Sequence, residues 1–104
     1  MALPTLTAEQ RAQALEKAAI ARRERAAVKN RLKYGQGSLR QVLEDGKTDD
    51  IIGKMKVYVL LESLPGVGQV RARQIMEEVG ISRTRRVRGL GANQVAALLD
   101  RFGE

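Results

Sequence analysis

The 104-residue chain contains no cysteine and no histidine. The first absence removes disulfides and thiolate metal sites. The second removes the commonest general base and the commonest metal ligand together. Aromatic residues amount to 3%, namely Tyr34, Tyr58 and Phe102. That is too few for a platform on which unpaired bases could stack, so single-strand binding is set aside. The two prolines, Pro4 and Pro65, leave long stretches that nothing breaks. No apolar run reaches the ~18–20 residues of a membrane span, and the first residues lack a signal peptide's apolar stretch. The expectation is a cytoplasmic chain without catalytic residues, metal, cofactor or membrane partner.

Positive charge is what the chain has in excess. Nineteen Lys and Arg against twelve Asp and Glu give a net charge of +7 and a pI near 10.4, a balance that favours a polyanionic partner. The charge is uneven. Residues 7–34 carry eight basic and three acidic side chains, residues 35–70 four and five, and residues 71–104 seven and four. The ends read as contact surfaces and the middle as scaffold.

Pattern and punctuation predict an all-α fold. Residues 1–6 form a short lead in which Pro4 disfavours helix. Thr7 to Gln10 reads as a capping box, and nothing interrupts a helix from there to Tyr34, with Gly35 suited to its C-terminal cap. Such a rod is roughly 40 Å long. Ala14, Ala18, Ala21, Arg25, Val28 and Leu32 share one face, but only Val28 and Leu32 are bulky, so its N-terminal part is expected to project. After the linker Gly35–Ser38, a short helix runs Leu39–Glu44, capped by Ser38. Asp49 or Asp50 caps a single helix over 51–64, although the β-branched run at 57–59 could read as strand. Further helices follow at Gln69–Val79, closed by Gly80, and at Ala92–Phe102. No strand pair is expected. The organisation is a basic N-terminal helix over 1–35 and a compact helical domain over 36–104.

The stretch 61-LESLPGVGQVRARQIM-76 is the most informative. Leu61, Leu64, Gly66, Val67, Gly68, Ala72, Ile75 and Met76 fill every position of a helix-hairpin-helix pattern. Gly66 can close the first helix in a left-handed conformation. Gly68 opens the second without a side chain to cap it. The amides of Gly68, Gln69 and Val70 then face outward at the positive end of a helix dipole, which makes an anion site. Ala72 lets the helices approach, and Arg71 and Arg73 flank the site. The competing reading is a tight turn in which the glycines serve the backbone alone.

A second candidate site lies at 83-RTRRVRGLG-91: Arg83, Arg85, Arg86 and Arg88, then Gly89, Gly91 and Asn93 at the start of a helix. Guanidinium groups suit phosphates and narrow minor grooves. Gly89-Leu90-Gly91 echoes Gly66-Val67-Gly68 as a weak internal repeat, with chance similarity the alternative. A third, weaker group is on the long helix: Arg22, Arg23, Arg25, Lys29, Arg31 and Lys33. A charge run of that kind is commonly a solvated face.

With these residues in view, the chain resembles the actinobacterial integration host factor family nearly end to end. The likeness rests on LEKAA at 15–19, KNRLK at 29–33, IGKMKV at 52–57, LLESLPGVG at 60–68 and TRRVRGLG at 84–91. The latter half is also similar to the helix-two-turns-helix module of ribosomal protein S13. The resemblance implies a nucleoid-associated protein that binds double-stranded DNA with little sequence preference, bends or compacts it, and assists phage integration. It also implies a site-specific recombinase as a further partner; a monomer in solution is expected. Many relatives place lysine directly after the second glycine where this chain has Gln69, which brings no charge.

Glycine amides and arginines read phosphates rather than bases, so duplex DNA is the first reading. Structured RNA, in the manner of the ribosomal relative, is the alternative. A base-excision glycosylase is the enzymatic rival, since some use this hairpin, but such enzymes hold a catalytic lysine or aspartate in a base-sized pocket, and the chain has no room for a pocket domain. The remaining rival is a protein-docking module whose basic rod binds another chain.

Overall fold

The computed structural model describes residues 5–104, so the expected lead at Pro4 lies outside them. Six α-helices and one turn of 3₁₀ helix account for the order: α1 (Ala8–Lys33), α2 (Leu39–Asp45), α3 (Asp50–Gly53), α4 (Val57–Ser63), α5 (Gln69–Val79), the 3₁₀ turn (Val87–Gly89) and α6 (Ala92–Arg101). The all-α expectation holds. No described helix is long and apolar enough to cross a membrane.

Local chemistry sets most of the helix ends. The Thr7 hydroxyl accepts from the Gln10 amide at 3.0 Å and the Gln10 side chain accepts from the Thr7 amide at 2.9 Å. This satisfies two of the donors that every helix start leaves over. Ser38 caps α2 by accepting from the Gln41 amide, and the Asp49 carboxylate caps α3 by accepting from Ile51 and Ile52. Gly35 and Gly80 take left-handed φ values of +67° and +83° beyond the ends of α1 and α5. One cap comes from far away. Glu104 accepts from the Leu39 and Arg40 amides at 3.1 and 3.0 Å, fastening the far end of the chain to the start of α2.

The expected helix over 51–64 is two helices, α3 and α4, broken at Lys54–Lys56. The cause is a long-range pairing. The Val57 amide donates to the Arg85 carbonyl at 3.0 Å and the Val87 amide to the Met55 carbonyl at 2.9 Å. These bonds make an isolated antiparallel bridge between Lys56 and Arg86, a single residue pair and not a strand, so among the described residues the expectation of no strand pair holds. Backbone groups drawn into that bridge cannot continue the helical ladder.

The core is built from every element. Val28 and Leu32 of α1, Leu39 and Val42 of α2, Ile52, Met55 and Val57 around the break, and Leu60 and Leu61 of α4 are buried together. Ala72, Ile75 and Met76 of α5, Ile81, Val87, and Leu98 and Leu99 of α6 complete it. Val95 and Phe102 of α6 pack at its margin. An Arg101–Glu78 ion pair joins α6 to α5 on the outside.

The first part of α1 stands clear of this core. Residues 8–18 are exposed throughout, and Leu15 is 68% exposed. The projection lengthens the molecule to 50 Å against 32 and 26 Å across. Its radius of gyration is 16.2 Å; about 13 Å is usual for a compact chain of this size.

Candidate nucleic-acid interface

The hairpin between α4 and α5 carries the geometry that its glycines require. Gly66 has φ +76°, the left-handed region that an L side chain rarely adopts. Val67 packs against the core, and its amide donates back to Leu64. Gly68 is the N-cap of α5, extended at φ −92° and ψ −174°, with no side-chain cap. The first backbone bond into α5 is Ala72 N–H to Gly68 C=O at 2.9 Å. The amides of Gly68, Gln69 and Val70 therefore precede the first hydrogen-bonded turn, at the positive end of the helix dipole. A Cβ at Gly68 would meet nothing within 4 Å, so the approach to these amides is open. Gln69, Val70, Arg71 and Arg73 are all exposed around it, while Ala72 is buried against α4 and its neighbours. Val70, at 70%, is the most exposed large apolar side chain described.

The arginine loop is more constrained than its sequence implies. Arg83 lies over the Tyr58 ring at 4.8 Å from the centroid, a cation–π contact. Arg85 donates to the Gly89 carbonyl at 3.0 Å. Arg88 pairs with Asp50 at 2.8 Å and packs across Gly53, where a Cβ would come within 2.9 Å of its guanidinium. Arg86 is exposed, its backbone held by the bridge to Lys56. Asn93 is exposed in the first turn of α6.

The internal echo is half structural. Gly91, like Gly68, is an extended N-cap at φ −77° and ψ 160°. Its amide, however, donates to the Gln94 side chain at 2.9 Å, and Gln94 donates in turn to the Gly80 carbonyl. Gly89 sits in the 3₁₀ turn and lacks the left-handed φ of Gly66. The second glycine pair thus opens a helix whose first donor is already partnered.

The three groups of cations are neighbours. Arg73 of α5 and Arg83 of the loop line one recess of about 320 Å³ with Met76 and Ile81. Lys29 and Lys33 of α1 line a cleft of about 400 Å³ with Leu64, Pro65 and Gly66 of the hairpin. Arg25 and Lys29 line a further cleft with Lys54 and Lys56. Arg22 and Arg23 are exposed on α1, and Arg31 is partly covered, its Cβ 3.5 Å from where a Cβ on Gly37 would stand. Lys54 and Lys56 escaped the sequence reading because residues 35–70 are net acidic. The signal was the alternation Lys-Met-Lys, which buries Met55 and turns its neighbours outward.

Two carboxyls, one on α1 and one capping α3, shift each other's titration. Glu24 of α1 hydrogen-bonds Asp49, which raises the Glu24 pKa, with burial and the Asp49 charge adding to the effect. The same bond holds Asp49 below the ordinary aspartate range, helped by the Ile52 and Ile51 amides.

Comparison with known proteins decides the family. A family model described as an S13-like H2TH domain matches residues 32–102. The integration host factor of Streptomyces coelicolor is 69% identical over 103 residues, covering 99% of this chain and 96% of that protein. The integration host factor of Mycobacterium tuberculosis is 61% identical over 103 residues, covering 99% and 98%. The chain belongs to the actinobacterial integration host factor family. A solved member of the integration host factor family, described as sIHF bound to an 8bp palindromic DNA, superposes with a TM-score of 0.83 at 67% identity. The match covers 85% of this chain and 99% of that one.

Proposed function

We propose that this chain binds duplex DNA by its sugar–phosphate backbone, with little regard to sequence. The observation that carries the reading is the uncapped start of α5, where amides at Gly68, Gln69 and Val70 meet open space between exposed arginines. A family member of the same fold solved with duplex DNA supports it. In this reading a phosphate sits on those amides, with Arg71 and Arg73 beside it, and Val70 meets the apolar face of a sugar. Arg83, Arg85, Arg86 and Arg88, with Gly89, Gly91 and Asn93, hold the backbone at a second point. Arg22, Arg23, Arg25, Lys29, Arg31 and Lys33 attract the duplex along α1. Within the stretch 1–35, α1 acts as a basic rod, and residues 36–104 act as the DNA-binding domain.

Backbone contacts at separated points hold a duplex bent or bridge two segments, so bending and compaction follow from the same arrangement. Work in the nucleoid, assistance to phage integration beside a site-specific recombinase, a monomeric state in solution and the absence of catalysis complete the proposal. The experiment is a titration of duplex DNA at increasing salt. Neutralising about six phosphates predicts a log–log slope of about −5 and a roughly 10³-fold loss of affinity between 50 and 200 mM salt. A slope shallower than about −2 contradicts backbone binding and favours the protein-docking role. Competition with structured RNA is the second arm, and preference for RNA replaces DNA as the partner.

A further inference from the structure

One cationic feature is explained by neither the hairpin nor the arginine loop. Beside α1 an open cleft of about 390 Å³ is lined by Arg25, Lys29, Lys54, Met55, Lys56 and Val59. Four cations line it and no carboxylate does. Like charges gathered this closely oppose folding. The acids described nearby border adjoining recesses and not this cleft: Asp50, beside Arg25 and Lys54, pairs with Arg88 at 2.8 Å, and Glu62 lines the next cleft with Lys29 and Lys33.

The backbone beneath is fixed. The two bonds that join Met55 and Val57 to Arg85 and Val87 pin the Lys-Met-Lys segment, with Met55 only 4% exposed. Lysines on a pinned segment lose less freedom on binding than lysines on a loose loop. Lys56 donates to the Thr84 carbonyl at 3.2 Å, which leaves two of its three donors for a ligand. The floor of Met55 and Val59 is apolar and suits sugar carbons better than a bare ion.

The cleft also has neighbours at both ends. Lys29 is shared with the cleft that reaches Pro65 and Gly66 of the hairpin. Lys56, through Thr84, adjoins the arginine loop. A row of cations joining two phosphate-binding elements fits a polymer of phosphates and not one small anion.

We propose that the backbone of the bound duplex runs along this cleft, and that Lys54 and Lys56 contact its phosphates. The proposal rests on the duplex-binding reading and adds the path between its two elements. The test is anisotropy titration of a short mixed-sequence duplex from 50 to 200 mM salt, with Lys54→Gln/Lys56→Gln. With two fewer phosphates neutralised, the slope becomes shallower by about 1.8 and binding weakens about 60-fold at 0.1 M salt. Lys47→Gln removes a single charge from a residue paired with Glu44, outside the cleft, and leaves the slope as it was. Should the double variant melt early by circular dichroism, Lys54→Gln alone carries the test with a change of about 0.9. A wild-type slope in the lysine variants, with binding still lost in Gly68→Asp, overturns the cleft and leaves the hairpin intact. Binding unmoved by either change overturns both. Adenosine triphosphate bound at Lys54 and Lys56, with the duplex slope unaltered, makes this a small-anion site and overturns the proposal as well.

Discussion

Replacing Gly68 by aspartate should move stability and DNA affinity in opposite directions. The residue is extended, a geometry any amino acid adopts, and a Cβ there meets nothing within 4 Å. An aspartate can therefore cap α5 as Asp49 caps α3, by accepting from amides two and three residues on. Aspartate exceeds glycine as an N-cap by a few tenths of a kcal/mol, about 0.3–0.5. For a domain of this size that raises Tm by about 1–4 °C. The same carboxylate fills the anion site from within. Displacing one bound phosphate weakens binding about 8-fold at 0.1 M salt. Repulsion between the carboxylate and a phosphate about 5 Å away adds about 0.8 kcal/mol in water, or roughly 4-fold. Together the two effects weaken binding about 30-fold. Thermal denaturation and anisotropy titration read stability and affinity separately. A variant that melts higher and binds DNA as well as the parent refutes the claim that these amides hold a phosphate. A variant that melts lower refutes the N-cap geometry.

The other predictions concern single side chains. Arg86→Ala should weaken DNA binding about 8-fold at 0.1 M salt and leave the melting curve unchanged. Arg88→Ala should also lower stability, by up to about 1 kcal/mol, because it breaks the partly exposed pair with Asp50. Leu32→Ala removes a side chain only 1% exposed and should cost about 2–5 kcal/mol in chemical denaturation. Leu15→Ala, on the projecting part of α1, should cost nothing measurable. The Glu24–Asp49 pair sets a pH dependence. Glu24, raised in the fold, contributes stability below its unfolded pKa and loses it as pH rises through the folded value. Asp49, depressed in the fold, contributes above its unfolded pKa and loses it as pH falls through the folded value. Asp49's contribution is complete above the ordinary aspartate range, so the pair's contribution to melting temperature should fall as pH rises from the ordinary glutamate range through the raised Glu24 value. Glu24→Gln, which keeps a donor at every pH, should flatten that decline; an undiminished decline counts against the pair.

What the sequence disclosed was mostly local. The Thr7–Gln10 capping box, the Ser38 cap, the left-handed Gly66, the stop at Gly80 and the bounds of α5 all depend on residues within a few positions of one another. The break at Lys54–Lys56 was hidden because its cause, Arg85–Val87, lies about thirty residues on. Glu104 capping α2 was hidden for the same reason. The arginine loop was legible as a cluster, but the engagement of Arg83 with Tyr58 and of Arg88 with Asp50 needed the fold. Segment charge misdirected attention from Lys54 and Lys56. Glu44, Asp45, Asp49 and Asp50 have partners of their own, while these lysines border a cleft without carboxylates.

Amide resonances of Gly68, Gln69 and Val70 followed during titration with a short duplex test the central claim most directly. A phosphate accepted by these N–H groups should move all three downfield, by more than the amides in the middle of α2, and the shifts should fade as salt displaces the duplex. Saturated binding with those three resonances unmoved would mean that the open start of α5 is not where this chain holds DNA.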